Sequence, residues 1–255
     1  MRKLLKYIFL DILRTKVILL YFTFLLIMSF TMYQLDSDTG KVILSMLTIL
    51  LLIVPLVSIV FSTIHFYNSY EFIELMLAQP INRTSVFFSQ FLAVSTSLTL
   101  AFIAGVGIPV LIYGIDSNSF TLLYSGALLT FVFVALSFLG SVITRDKAKA
   151  IGLSLLIWFF FSLIYDAFLL WVVYNLAEYP IEKPLLALIA LNPIDIARVL
   201  MLLKLDISAL MGYTGAFYKQ FFGNFTGIMV AVLVLLIWIA LPTLVAYKRF
   251  LKKDI

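Results

Sequence analysis

The sequence predicts an all-α membrane protein with six transmembrane helices and an amphipathic helix at the N-terminus. Of its 255 residues, 64% are hydrophobic and 12% are charged, which is about half the charged share of a soluble domain. The charged residues also separate six long apolar stretches, and each stretch is long enough to cross about 30 Å of hydrocarbon. Because the apolar character is continuous, we expect a single membrane domain over residues 1–255.

The N-terminal segment is predicted to be an amphipathic elbow helix. Lys6 and Asp11 interrupt its apolar run, so it does not have the pattern of a secretory signal. Its apolar residues recur instead at helical spacing: Leu5, Ile8, Phe9 and Ile12. Basic residues between them can meet lipid headgroups, which favours a helix in the membrane plane. The alternative is a simple extension of the first span.

The limits of the spans follow from the charges. The predicted spans cover residues 17–35, 42–65, 86–113, 120–143, 150–174 and 226–247. Six spans place both termini on one side. Of the 18 lysines and arginines, five precede the first span, one lies in the second connection, three lie in the fourth, and four follow the last span. Since positive residues collect in cytoplasmic connections, both termini are predicted to be cytoplasmic.

The second connection, residues 66–85, contains the longest polar interruption on the predicted cytoplasmic side. Glu71 and Glu74 do not belong in hydrocarbon, whereas the residues between and after them are apolar. A short amphipathic helix over residues 69–78 is expected to stop before Pro80, because a proline disfavours helix at the preceding residue. Such a helix across two spans would be a docking surface. The alternative is a solvated connector with one helical turn.

Six spans place residues 175–225 outside, and we call them the outer section. Its apolar run LLALIAL (185–191) is far too short to cross the membrane. Asn192 is a candidate N-cap, Pro193 suits the first helical position, and Asp195 suits the first turn. We therefore expect two short helices, partly sunk in the membrane, with the second running to Lys204. Asn192, Pro193, Asp195 and Arg198 would meet an outer partner or form a gate. Ordinary capping of the bundle is the alternative.

Asp166, next to Tyr165, is the one acidic residue inside the predicted spans. It lies sixteen residues beyond Ala150, about 24 Å from the cytoplasmic edge at 1.5 Å per residue. Acids at membrane depth are costly to insert, so they indicate functional sites. Two interpretations remain open for Asp166: it faces an outward vestibule, or it hydrogen-bonds to a neighbouring helix.

The sequence offers little for catalysis. There is one histidine and no cysteine, and Met28 with Met32 would make only a weak thioether site for copper. A phosphate-binding loop is missing, so the chain is not expected to hydrolyse ATP. We therefore expect a non-catalytic protein without a metal or cofactor of its own.

With this plan, the chain resembles the permease subunits of type-2 ABC transporters. The resemblance extends more narrowly to NosY-type permeases of nitrous oxide reductase maturation systems. It rests on three stretches of sequence: ELMLAQPINR (74–83), Tyr165-Asp166, and LNPIDIARV (191–199).

The resemblance implies type-2 exporter architecture in a bacterial inner membrane, and a homodimer bound to a separate ATPase that holds ATP and magnesium. ATPase coupling would then fall to Glu71, Glu74, Leu75, Gln79, Pro80 and Arg83. A periplasmic solenoid protein would sit on the outer section, and the assembly would support copper-site maturation. A generic exporter of a lipid, drug or peptide, and a membrane scaffold or channel without an ATPase, are the alternatives.

Overall fold

The computed structural model describes residues 2–36, 38–79, 81–114, 117–176, 182–202 and 225–252. These residues are almost entirely helical, and none of them lies in a strand. The helices are α1 (Arg2–Leu13), α2 (Lys16–Leu35), α3 (Thr39–Asn68), α4 (Tyr70–Leu77), α5 (Arg83–Tyr113), α6 (Ser117–Ile143), α7 (Lys147–Phe159), α8 (Tyr165–Asn175), α9 (Glu182–Ala190), α10 (Pro193–Leu202) and α11 (Phe225–Lys252). A π-helical segment, Phe160–Ile164, joins α7 to α8.

Six helical stretches among the described residues are long and apolar enough to cross a membrane, as predicted. They are α2, α3, α5, α6, the continuous α7–α8 and α11. These helices run a few residues past the limits predicted for the spans, since helical hydrogen bonding continues where the apolar run ends. One end of the bundle carries α1, α4 and the start of α7; it is called the basic end here, and the opposite end is the far end.

Helix α6 forms the centre of the bundle. In the apolar stretch of α6, 72% of the residues are buried, whereas in the apolar stretch of the α7–α8 span 11% are buried. Phe138 of α6 is fully buried and makes edge contacts with Phe66, Phe87 and Phe91 from α3 and α5. The α7–α8 span therefore lies at the periphery of the protomer, where a few specific contacts hold it.

A buried hydroxyl cluster holds the base of this peripheral span. Thr63 Oγ1 of α3 lies 2.8 Å from Ser137 Oγ of α6 and 2.6 Å from Ser154 Oγ of α7. One turn further along α7, Trp158 Nε1 donates to the Leu52 carbonyl at 3.1 Å. Because polar groups in an apolar interior need partners, these bonds fix how α7 sits on α3.

Helices α2 and α5 approach closely at Gly105. A Cβ atom at this position would lie 2.8 Å from Leu25 Cβ and 3.1 Å from the Phe22 carbonyl oxygen. Neither atom can move without shifting the backbone of α2. Small residues allow such close approach between membrane helices, and only glycine fits here.

We expect Gly105→Ala to destabilise the bundle by about 1–3 kcal/mol, the usual cost of overpacking. The midpoint of thermal unfolding in detergent should fall by about 2–4 °C for each kcal/mol. Gly152→Ala is the matched control, because among the described residues no atom outside the glycine's own helical turn lies within 4 Å of a Cβ at that position. Equal midpoints for the two variants would contradict the assigned close approach.

Candidate functional site

Helix α4 at the basic end is short and amphipathic, with one exposed face. Ile73 is buried against the bundle with 1% exposure, whereas Leu75 is 64% exposed. Glu71 and Glu74 are exposed as well. Ile73 anchors the helix, together with Phe72, Met76 and Leu77, which are partly buried against the core. Glu71, Glu74 and Leu75 are available to a partner.

Helices α1, α5 and α11 make contacts at α4 or next to it. The Tyr7 ring of α1 stacks on Phe72 with ring centroids 6.2 Å apart. Arg83 Nη1 at the start of α5 donates to the Leu251 carbonyl of α11 at 3.2 Å. Gln79 is exposed, and Pro80 lies outside the described residues. The predicted coupling residues that are described thus cluster at one end of the bundle.

At the far end, the structure brings together residues that are distant in sequence. Arg198 Nη2 of α10 donates to Asp166 Oδ2 of α8 at 2.7 Å, and Arg198 Nη1 donates to Asp195 Oδ1 at 3.0 Å. Asn192 Nδ2 donates to Asp195 Oδ2 at 2.8 Å. These four residues form what we call the polar bridge. It joins α8 of the peripheral span to α10.

The π-helical segment explains why Asn192 reaches this span. The Tyr165 backbone N–H donates to the Phe160 carbonyl, five residues back. In an α-helix it would donate to Phe161, four residues back, so the Phe161 carbonyl loses its usual partner. Asn192 Nδ2 donates to that carbonyl at 2.9 Å. A widened helical turn thus provides the acceptor for a side chain of the outer section.

Asn192 also begins α10. Its Oδ1 accepts from the Ile194 backbone N–H at 3.0 Å, which makes it the N-cap, and Pro193 is the first helical residue. The side chain is completely buried. A single amide therefore caps α10, supports Asp195 and satisfies the π-helical segment.

The turn between α9 and α10 is a bend of 109°. Backbone carbonyls at such a bend need partners if they lie at membrane depth. Tyr165 Oη donates to the Leu188 carbonyl at 2.6 Å, and Trp238 Nε1 of α11 donates to the Ala190 carbonyl at 3.1 Å. Side chains from the last two spans thus satisfy the end of α9.

Arg198 is shared between two carboxylates of the polar bridge, those of Asp166 and Asp195. Asp166 Oδ1 is buried and has no hydrogen-bond partner among the described residues. The side chains of Arg198 and Asp166 are 33% and 28% exposed. The polar bridge is thus partly open to its surroundings.

Comparison with known proteins decides the family. Residues 9–255 match the ABC-2 family transporter proteins. The chain belongs to this family. Over 192 residues the permease is 30% identical to a probable ABC transporter permease protein NosY of Stutzerimonas stutzeri, and the match covers 70% of the chain and 67% of that relative. A protein of the same name from Pseudomonas aeruginosa is 30% identical over 148 residues, which cover 54% of each.

Two features of the permease site were not found from the sequence. One is the π-helical segment, for which the residues FFSLI give no signal. The other is the pairing of Asp166 with Arg198. Asp166 was expected to face a vestibule or a neighbouring helix, and Arg198 was expected to meet an outer partner or form a gate. Their opposite charges were the available hint. The predicted end of α10 at Lys204 and most of the outer section, including residues 203–224, lie outside the described residues.

We expect Asn192→Ala to destabilise the permease by about 2–3 kcal/mol, because it removes a cap and leaves a buried carbonyl without a donor. Asn192→Asp is the informative companion, since it retains the acceptor for Ile194 but loses the donor to Phe161 and places a charge next to Asp195. Thermal unfolding in detergent should rank the wild type first and both variants well below it. If Asn192→Asp unfolded at the same temperature as the wild type, the role assigned to Asn192 as donor to the Phe161 carbonyl would be wrong.

Proposed function

We propose that this chain is the transmembrane subunit of an ATP-driven ABC transporter, and that α4 inserts into a groove on a separate ATPase subunit. The observation that carries the proposal is the exposed face of α4. Leu75 is 64% exposed among the described residues, and Glu74 directly before it and Glu71 one helical turn before it are exposed as well. An apolar anchor with a charged rim is the usual form of a protein-binding helix. Family membership supports an ATPase partner.

Motion of α4 would reach the spans through its neighbours. Ser69 alone separates α4 from α3, and Arg83 ties the start of α5 to α11. Closure of the ATPase around ATP and magnesium would therefore displace several spans together. The chain itself would remain non-catalytic.

We further propose a homodimer whose contact includes the peripheral α7–α8 span. Its large apolar residues are exposed in the protomer, for example Phe168 at 45% and Trp171 at 62%. A second copy or lipid must cover them. The complex would then contain two permease and two ATPase chains in a bacterial inner membrane, with the basic end in the cytoplasm.

At the far end, the polar bridge would transmit this motion to a periplasmic partner, for which a solenoid protein is the candidate. The relatives named NosY and the resemblance to NosY-type permeases support a role in maturing the copper site of nitrous oxide reductase. The described residues at the polar bridge offer two carboxylates, Asp166 of α8 and Asp195 of α10, and no thiol or imidazole. We therefore favour mechanical work on the partner, or a sulfur cargo, over a copper path through the spans.

The proposal is tested by deleting the gene in a host that respires nitrous oxide. We expect loss of nitrous oxide reduction, together with a reductase that is purified with little copper. Normal activity with full copper would overturn the maturation role and would favour export of a lipid, drug or peptide. The mass of the complex, purified with its ATPase, separately tests the expected two copies of each chain.

A further inference from the structure

A cavity of about 430 Å³ opens on the face of the bundle formed by α2, α3 and α7. Seven of its ten lining residues are apolar, and Val57, Val60 and Leu155 are among them. Along α3 the lining runs from Leu56 to Asn68, a distance of about 18 Å at 1.5 Å per residue. That is close to the depth of one leaflet, since the whole hydrocarbon core is about 30 Å thick.

The polar lining residues lie together at the basic end of the cavity. They are Thr15, His65 and Asn68. His65 is within 3.3 Å of Ser69 Oγ through Nε2 and stacks on Phe61, so its ring is held at the cavity wall. A cavity that is apolar along its length and polar at one membrane edge has the polarity profile of a lipid.

Two lysines flank this polar end. Lys147 Nζ donates to Asn68 Oδ1 at 2.7 Å, and Lys16 directly follows Thr15 and is exposed. No acidic residue lines the cavity in the described structure. Asp146, the neighbour of Lys147, is occupied in capping α7 through the Ala148 and Lys149 N–H groups. Asp146 keeps its negative charge as a cap, and Asp11 lies near enough to act on His65. The three basic residues Arg14, Lys16 and Lys147 outnumber these two carboxylates, so the charge at the mouth of the cavity still favours an anionic group.

We propose that this cavity is a binding site for a phospholipid with an anionic headgroup. One acyl chain lies along α3 between Val57 and Leu155, and the headgroup phosphate is held by Lys16 and Lys147. Basic pockets between membrane helices bind anionic headgroups in this way. The lipid would fill the space between the peripheral span and α3, next to the hydroxyl cluster around Thr63, and so would fix the base of that span.

The site is tested by native mass spectrometry of the purified full chain with dioleoyl-phosphatidylglycerol and dioleoyl-phosphatidylcholine, which share their acyl chains. We expect the wild type to bind phosphatidylglycerol more tightly, on the order of tenfold, because each of two lysines contributes. Lys16→Gln with Lys147→Gln should abolish that preference. Lys248→Gln with Arg249→Gln is the matched control, because these residues do not line or adjoin the cavity, and it should retain the preference.

A second variant tests the cavity itself. Val60→Phe fills the space and should weaken the binding of both lipids about tenfold or more, whereas Leu100→Phe on α5, which is exposed and away from the cavity, should leave binding unchanged. Thermal unfolding of each variant checks that it is folded. Equal binding of the two lipids by the wild type, or unchanged binding by Val60→Phe, would overturn the proposal. A Val60→Phe variant that no longer forms a dimer but still binds lipid would also overturn the proposal. In that case the cavity would be occupied by a second copy of this chain.

Discussion

Replacing Leu75 by arginine is expected to abolish the complex with the ATPase while the permease remains folded in the membrane. Leu75 is the most exposed apolar residue of α4, and in the proposed complex it fills an apolar groove. An arginine there would bury an unpaired charge, at a cost of several kcal/mol. Affinity should therefore fall by more than a hundredfold. Co-purification of the ATPase with the tagged permease measures the loss.

The control for this prediction is Leu251→Arg. Leu251 lies at the end of α11, at the same basic end of the bundle, and is 38% exposed. Its contact with Arg83 is made by the backbone carbonyl, so the substitution leaves that bond in place. We expect the ATPase to co-purify with this variant. A complex that survives Leu75→Arg would show that α4 is not the docking helix.

Replacing Arg198 by leucine is expected to destabilise the far end of the permease by about 2–3 kcal/mol. The change leaves Asp166 and Asp195 without their shared guanidinium, and breaking a buried ion pair in this way usually costs 3–5 kcal/mol. The lower figure follows because the side chains of Arg198 and Asp166 are about one third exposed. Thermal unfolding in detergent and the amount of protein in the membrane measure the effect.

Two companion variants separate charge from structure at the polar bridge. Adding Asp195→Asn to Arg198→Leu removes one of the unpaired charges and should recover part of the stability. Asp166→Asn alone keeps an oxygen that accepts from Arg198, so the protein should be present in normal amounts while its function is impaired. If Asp166→Asn leaves function unchanged, the aspartate has only a structural role. If Arg198→Leu is as stable as the wild type, the bridge does not hold the outer helices.

Much of the fold could be predicted because charges and prolines mark the ends of apolar runs. The six spans follow from charge spacing, and Asn192-Pro193 identifies the start of α10, since the side chains that cap a helix are local in sequence. The helix over 69–78 was likewise expected from Pro80, and α4 lies within those limits.

The polar bridge could not be predicted as one site. Asp166 and Arg198 are 32 residues apart in sequence, and residues 177–181 and the sharp bend after α9 lie between them. Pairing across such a distance is decided by packing and not by local pattern. The π-helical segment could not be predicted from local sequence either. The Phe161 carbonyl that it leaves without its helical partner accepts from Asn192, which belongs to another element.

The π-helical segment has a consequence for how relatives of this protein should be compared. An extra residue in a helical turn rotates everything after it by about 100° relative to a regular α-helix. The direction in which Asp166 points is therefore set by the number of residues before it as well as by their identity. A relative with one residue fewer between Lys147 and Tyr165 could retain all four residues of the bridge and still be unable to form it. Conservation of this site is thus a matter of spacing, and an alignment that places a gap in this span would mark its loss.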